Sequence, residues 1–382
     1  MRFSIIFIIL NIFLSLKAMD VVDLTTQFSG MAAPSSVASL TEVFFSPNIK
    51  DQLLFYIKNE QKSIRMAIYE LNDGDIVNAL IARKRDGIEI TVVMNNSKNV
   101  QNIKTQLAPY NVPVYFNNQR FSETCGYETM HEKFVLFEKN IDDKPLVRYG
   151  SYNFTSSANS WQWNNAVIDD STQKQREFSE EWETLLNKSE KNGENVLVPR
   201  QNGAVVSPLR EAYFSPFMVS DLLKNFIAQE RVGIEAAYFR FTLYPVAQAM
   251  VERKKAVPLK IDITVDKCYR QDHCEALALL KNNEVLVCSN KDNKIMHHKF
   301  IIFEKNKDDK SIVVSGSYNP TGIAEQNSWE NACIISEPDI IDKFKAEYNC
   351  IKQCRVEIPV HLLICTAKKS DYSKRMNGIP GY

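Results

Sequence analysis

Met130-His131-Glu132-Lys133-Phe134-Val135-Leu136-Phe137-Glu138-Lys139-Asn140 returns 166 residues later as Met296-His297-His298-Lys299-Phe300-Ile301-Ile302-Phe303-Glu304-Lys305-Asn306, with eight of eleven positions identical. The same offset carries Asp142-Asp143-Lys144 to Asp308-Asp309-Lys310, and Gly150-Ser151-Tyr152-Asn153 to Gly316-Ser317-Tyr318-Asn319. Upstream, Phe44-Phe45-Ser46-Pro47 returns as Tyr213-Phe214-Ser215-Pro216. Solenoid repeats have periods of roughly 20–50 residues, so a unit of this size is a duplicated domain. The copies run from about Glu42 to Asn187 (42-187) and from about Glu211 to Cys354 (211-354). Between them, residues 188-210 are rich in Asn, Gly, Ser, Glu and Lys with two prolines, which is linker chemistry. Residues 355-382 form a polar, basic tail expected to fray.

The first copy alternates helix and strand signals. Ser46-Pro47 opens a helix with Ile49, Leu53, Leu54 and Ile57 on one face. Ser63 to Leu71 reads as a strand, Asp75 to Arg85 as a helix stopped by Gly87, and Ile88 to Met94 as a strand. Val100 to Ala108 has helical spacing up to Pro109, and Val112 to Phe116, Met130 to Phe137 and Leu146 to Asn153 read as strands. Such alternation predicts an α/β fold, an α-β-α sandwich in each of two tandem domains, together a pseudo-dimer in one chain.

Side chains alternate along a strand. His131 and Lys133 therefore share a face, as do Ser151 and Asn153, and His297, Lys299, Ser317 and Asn319 repeat the set. An imidazole, an ammonium, a hydroxyl and a carboxamide, with no acid among them, suit an anion. Lys supplies charge, Ser and Asn supply hydrogen bonds, and His supplies a nucleophile or a proton. Displacement at phosphorus needs a nucleophile on one side and a general acid at the leaving oxygen opposite. Two histidines across a pseudo-twofold axis meet that need without a metal or other cofactor. In the pair His297-His298, neighbours on a strand point to opposite faces, so His298 is expected in solvent. Trp161, Trp163 and Trp329 are expected in packing, with a lipid or base slot as the alternative.

With both segments in view, the sequence resembles the phospholipase D superfamily: His-x-Lys, four residues, an acid, then Gly-Ser-x-Asn. The Phe-Ser-Pro entry, Ser63 to Tyr69 and the Ile76 to Gly87 helix resemble its compact bacterial nuclease and cardiolipin-hydrolase branch, over nearly all of residues 42 to 350. That branch usually has one copy per chain and dimerises. The resemblance implies a covalent phosphohistidine intermediate, no metal, and catalytic roles for His131, Lys133, Asn153, His297, Lys299 and Asn319. The family's Asp is Glu in both copies, Glu138 and Glu304, and is expected to face away from the His in a structural ion pair. A Glu-Asn pair follows as Glu330-Asn331 in the second copy but Asn164-Asn165 in the first. Because such a group orients a catalytic His in the family, Glu330 joins the catalytic set, and Ser151, Ser317 and Asn164 are expected to contact substrate. A carboxylate raises imidazole basicity and an amide only orients it. If the copies face each other across a twofold axis, Glu330 is expected to back His131 as nucleophile and Asn164 to back His297 as general acid.

The chain has 382 residues, 46 Lys+Arg against 46 Asp+Glu, 45% apolar and 24% charged residues. These are globular values that exclude disorder and a polytopic membrane protein. Met1 to Ala18 carries Arg2, an apolar run from Ile5 to Leu16 and a small residue after Lys17, and reads as a signal peptide (1-18). A secreted or periplasmic location is expected, and removing Arg2 and Lys17 takes the net charge from 0 to about −2. Eight cysteines in an exported chain imply some disulfides. Cys268, His273, Cys274 and Cys288 fit no common zinc spacing, and Cys333 sits in an apolar run. The expected function is a metal-independent phosphodiesterase acting on a phospholipid headgroup, with peripheral membrane contact and as a monomer. The alternative is a secreted endonuclease, which a charge near −2 disfavours. Transfer between lipids and a catalytically dead phospholipid- or nucleic-acid-binding module complete the set.

Overall fold

The computed structural model describes residues 40–96, 101–117, 121–122, 126–127, 129–189, 210–216, 219–267 and 274–363. The leader at 1–18, Cys125, Cys268, His273, Cys365 and most of the linker lie outside the described residues. The described residues form one compact unit.

Each copy builds a mixed sheet with helices on both faces. The first sheet runs in the order Thr41–Phe45, Asn165–Asp169, Leu146–Gly150, Lys133–Phe137, Ser63–Ile68, Glu89–Asn95, Val114–Asn117. Its last two pairings are parallel and the rest antiparallel. The second repeats this order as Ala212–Ser215, Ser328–Ile335, Ile312–Gly316, Lys299–Phe303, Gly233–Tyr238, Lys260–Val265, Leu286–Asn290. It adds an antiparallel edge strand, Arg355–Glu357, from what the sequence assigned to the tail. The period-2 runs form the strands, and helices such as Gly74–Arg85 form where apolar residues recur at three and four. Asp73 caps that helix by accepting from the amides of Asp75 and Ile76, and Gly87 at φ +90° follows its end. In Ile49–Asn59, Ile49, Leu53 and Ile57 are buried, whereas Leu54 is only half buried.

Among the described residues the apolar side chains form three cores. Two lie within single halves, beneath the helices Ile49–Asn59 and Gly74–Arg85 and their counterparts Val219–Gln229 and Tyr244–Ala256. The third is shared. Phe134, Tyr149, Phe178 and Trp182 of the first half join Phe214, Phe300, Phe344 and Tyr348 of the second. The helices Thr172–Asn187 and Pro338–Gln353 supply much of it. At about 1.5–3 kcal/mol for each fully buried large apolar side chain, this shared layer fixes the two sheets against each other. That fixation gives the histidines their geometry.

Candidate active site

The expected strand Met130 to Phe137 is interrupted. Thr129–Met130 pairs in parallel with Ser328 and Trp329 of the other half, and only Lys133–Phe137 joins its own sheet. The mirror pairing joins Gln162–Trp163 to Ile295–Met296. His131 and His297 sit at these switch points, their backbone amides donating to the carbonyls of Trp329 and Trp163 at 3.0 Å each. Each histidine is thus fastened to the opposite half. The residue after each Trp, Glu330 or Asn164, is carried to the imidazole.

His131 Nδ1 lies 2.9 and 2.8 Å from the two carboxylate oxygens of Glu330. His297 Nδ1 lies 2.8 Å from Asn164 Oδ1, which also accepts from Ser151 Oγ at 3.0 Å. Ser317 hydrogen-bonds the Glu330 carboxylate in the equivalent way. With Nδ1–H donating, Nε2 of each imidazole is the free position. Lys133 Nζ donates to the carbonyl of His131 at 2.6 Å and Lys299 Nζ to that of His297 at 2.9 Å. An ammonium has three donors, so two remain on each lysine for an anion. Asn319 Oδ1 accepts from the amide of Arg240 at 3.2 Å, leaving its NH₂ to donate elsewhere. Asn153 Oδ1 is buried with no hydrogen-bond partner among the described residues.

Glycine permits a close approach of neighbouring strands beneath this set. A Cβ on Gly316 would stand 2.2 Å from Asn331 O, and one on Gly150 2.3 Å from Asn165 O. The strand expected from Leu146 to Asn153 ends at Gly150, so Ser151 and Asn153 lie past it, in the segment leading to a short helix capped by Thr155. Thr321 caps the equivalent helix.

The description "Cardiolipin synthase, PLD-like domain" matches this chain twice, over residues 53–186 and 222–351. The chain belongs to the phospholipase D-like family. The mitochondrial cardiolipin hydrolase of Canis lupus familiaris is 28% identical over 133 residues, 35% of this chain and 50% of that protein. The chain thus spans about half the length of the curated relatives it matches. Two solved structures share the fold at 13% identity. Polyphosphate kinase from Porphyromonas gingivalis has a TM-score of 0.62, covering 88% of this chain and 54% of that one. Phosphatidylserine synthase from Haemophilus influenzae Rd KW20 has a TM-score of 0.61, covering 83% and 87%.

Burial dominates the electrostatics of this phospholipase D-like site. It holds both imidazoles well below their usual range, with Lys133 and Lys299 adding to the effect. Burial also lowers Lys133 to about 8, against the pull of Glu330, Glu132 and Glu70, and holds Lys299 well below its usual range. The Glu330 carboxyl is raised to about 8 by burial, against Lys133, the Ser317 hydrogen bond and Lys299. His131 and Glu330 touch, so they titrate as a pair that resists carrying two charges. An anion between the lysines would favour the charged form of both ammonium groups and a proton on a neighbouring imidazole.

Several expectations give way. Ser151, Ser317 and Asn164 are fully buried and direct their polar atoms into the framework behind the imidazoles. Their expected contact with substrate becomes a positioning role. His298 does point away from His297, but into the protein rather than solvent. Its Nδ1 lies 3.3 Å from Asn165 Oδ1 and its Nε2 3.0 Å from Glu347. The matching layer in the other copy is buried Glu132, which accepts from Asn331. This second crossed pair was not legible in the sequence, because Glu132 and His298 differ between the copies and the repeat did not single them out. Trp329 is buried, Trp163 half buried and Trp161 exposed. Glu138 pairs with Lys62 and Ser63, and Glu304 with Lys345, both away from the histidines. Cys274 is disulfide-bonded, which takes it out of the zinc grouping, while Cys288 and Cys333 are free and buried.

Proposed function

We propose that this protein is a phosphodiesterase that hydrolyses phospholipid headgroup esters through a phosphohistidine, with no metal in the step. The observation that carries the reading is the pair of crossed imidazoles with unlike partners, a carboxylate behind His131 and an amide behind His297. His131 Nε2 attacks phosphorus, and its Nδ1–H donates to Glu330 as positive charge develops. The bond to the leaving oxygen breaks in line with the attack, and His297 gives that oxygen the proton on its Nε2. Lys133 and Lys299 neutralise the non-bridging oxygens, helped by the amides of Asn153 and Asn319. Water then enters on the side of His297, which takes a proton from it. The phosphorus–nitrogen bond breaks and the phosphomonoester leaves.

The named activity of the cardiolipin hydrolase relatives supports a lipid substrate. The test offers the purified protein mixed phospholipid vesicles, single-stranded DNA and double-stranded DNA side by side, with and without EDTA. Headgroup release that survives EDTA is expected, since the site's own ammonium groups meet the phosphate charge. Cleavage of DNA alone would move the protein to the nucleases. Loss of all activity on chelation, restored by a divalent ion, would end the metal-free mechanism.

A further inference from the structure

The two walls of the site are built on the same backbone and carry opposite charges. Tyr69-Glu70 follows the strand Ser63–Ile68, and Phe239-Arg240 follows its counterpart Gly233–Tyr238. The amide of Tyr69 donates to the carbonyl of Glu132, and that of Phe239 to the carbonyl of His298, so the segments occupy equivalent places. Tyr69 stands edge-on to His131 at 4.7 Å between ring centroids, and Phe239 meets His297 at 5.3 Å. The Arg240 guanidinium carbon lies 5.3 Å from the centroid of the Phe239 ring, and its amide holds Asn319. Arg240 is exposed. Half-buried Glu70 has its carbonyl fastened to the amide of Phe154, next to Asn153, and its charge acts on Lys133 and Tyr69. The His131 wall is therefore acidic and the His297 wall basic.

We infer that Arg240 selects the leaving alcohol, favouring phosphodiesters whose leaving group carries a further negative charge. This rests on the proposed function. In-line displacement from His131 sends the leaving oxygen toward His297, so the leaving group extends along Phe239 and Arg240. A second phosphate on that alcohol meets the guanidinium, which is built for phosphate. A quaternary ammonium there meets Arg240 and Lys299, and the carboxylate that would attract it is on the other wall.

The probes are two short-chain lipids kept monomeric, so that membrane charge plays no part. One is dihexanoyl phosphatidylcholine and the other dihexanoyl phosphatidylglycerol phosphate, whose leaving alcohol carries a phosphate. The quantity read is the ratio of kcat/KM for the anionic over the cationic leaving group. It should exceed one in the wild type, fall about fivefold to tenfold in Arg240→Ala, invert in Arg240→Glu and return in Arg240→Lys. The preference should weaken as salt rises. Glu70→Gln should move the ratio less than Arg240→Ala, and circular dichroism confirms that each variant is folded. A ratio that ignores every Arg240 substitution overturns the inference while the phosphodiesterase reading stands. A ratio that follows Glu70 instead means the leaving group departs on the His131 side, which also overturns it. Inactivity of the wild type on both lipids removes the reading beneath it, and the inference with it.

Discussion

Glu330 and Asn164 hold equivalent positions and differ by one ionisable group, and the pH behaviour of the site follows from that difference. Nδ1–H of His131 needs an acceptor, so His131 attacks best once the Glu330 carboxyl has lost its proton and the imidazole keeps the one on Nδ1. With the Glu330 carboxyl raised to about 8, phosphoenzyme formation should increase with pH through about 8, an apparent value belonging to the pair. Glu330→Gln should remove that limb and slow phosphoenzyme formation roughly 10²-fold, as read by rapid-quench trapping across a pH series. An unchanged profile would detach Glu330 from His131. Stability should respond in a fixed direction too. The folded-state pKa of Glu330 lies above its ordinary 4.5, so its contribution is fully present below 4.5 and is lost as pH rises toward about 8. The two histidines lie below 6.5, so they oppose folding as pH falls beneath that value. Glu330→Gln should therefore be more thermostable than the wild type at pH 9 and gain little at pH 5. A gain of the same size at both pH values would mean that burial of this carboxyl is not the cause.

At the scale of elements, the two halves show which departures from symmetry cost stability. Arg148 lies on the strand Leu146–Gly150 opposite Val135, where the second half has Val314 opposite Ile301. Its guanidinium is fully buried against the rings of Tyr152 and Phe154, and none of its nitrogens has a hydrogen-bond partner among the described residues. Burial brings it down to about 10, which is the signature of an unfavourable charge. Arg148→Leu should raise the thermal midpoint, by a stability gain of about 1 kcal/mol or more, and calorimetry checks it. A fall would show that the ring contacts outweigh desolvation. The same scale shows where sequence reasoning reached its limit. Helix and strand positions were legible because buried faces follow periods of 3.6 and 2, and His131, Lys133 and their duplicates were legible because the repeat singled them out. The break at His131–Glu132 was not, since it comes from pairing with Ser328 and Trp329 of the other half. His298 was assigned the correct side and the wrong surroundings: alternation gives direction, while Asn165 and Glu347 arrive by tertiary packing.

For the whole molecule, the shared core and the crossed site make the halves interdependent. Phe134, Phe178 and Trp182 are buried against Phe214, Phe300 and Phe344, so a separated half would expose a broad apolar face. It would also lack the acceptor for its own histidine, because Glu330 serves His131 and Asn164 serves His297. Covalent continuity, by contrast, contributes only the effective concentration of one half near the other. A protease site inserted within residues 190–209 and then cut should therefore leave two fragments that co-elute and keep their activity. Unfolding should remain one transition, with circular dichroism and tryptophan fluorescence coinciding. Either half expressed alone should aggregate or form a symmetric pair. A pair of first halves would place Asn164 behind both histidines and should form little phosphoenzyme, whereas a pair of second halves would place Glu330 behind both. Mixing the two purified halves should restore activity above either alone. If the first half alone turned over substrate as fast as the intact chain, the division of labour between a carboxylate-backed and an amide-backed histidine would be wrong.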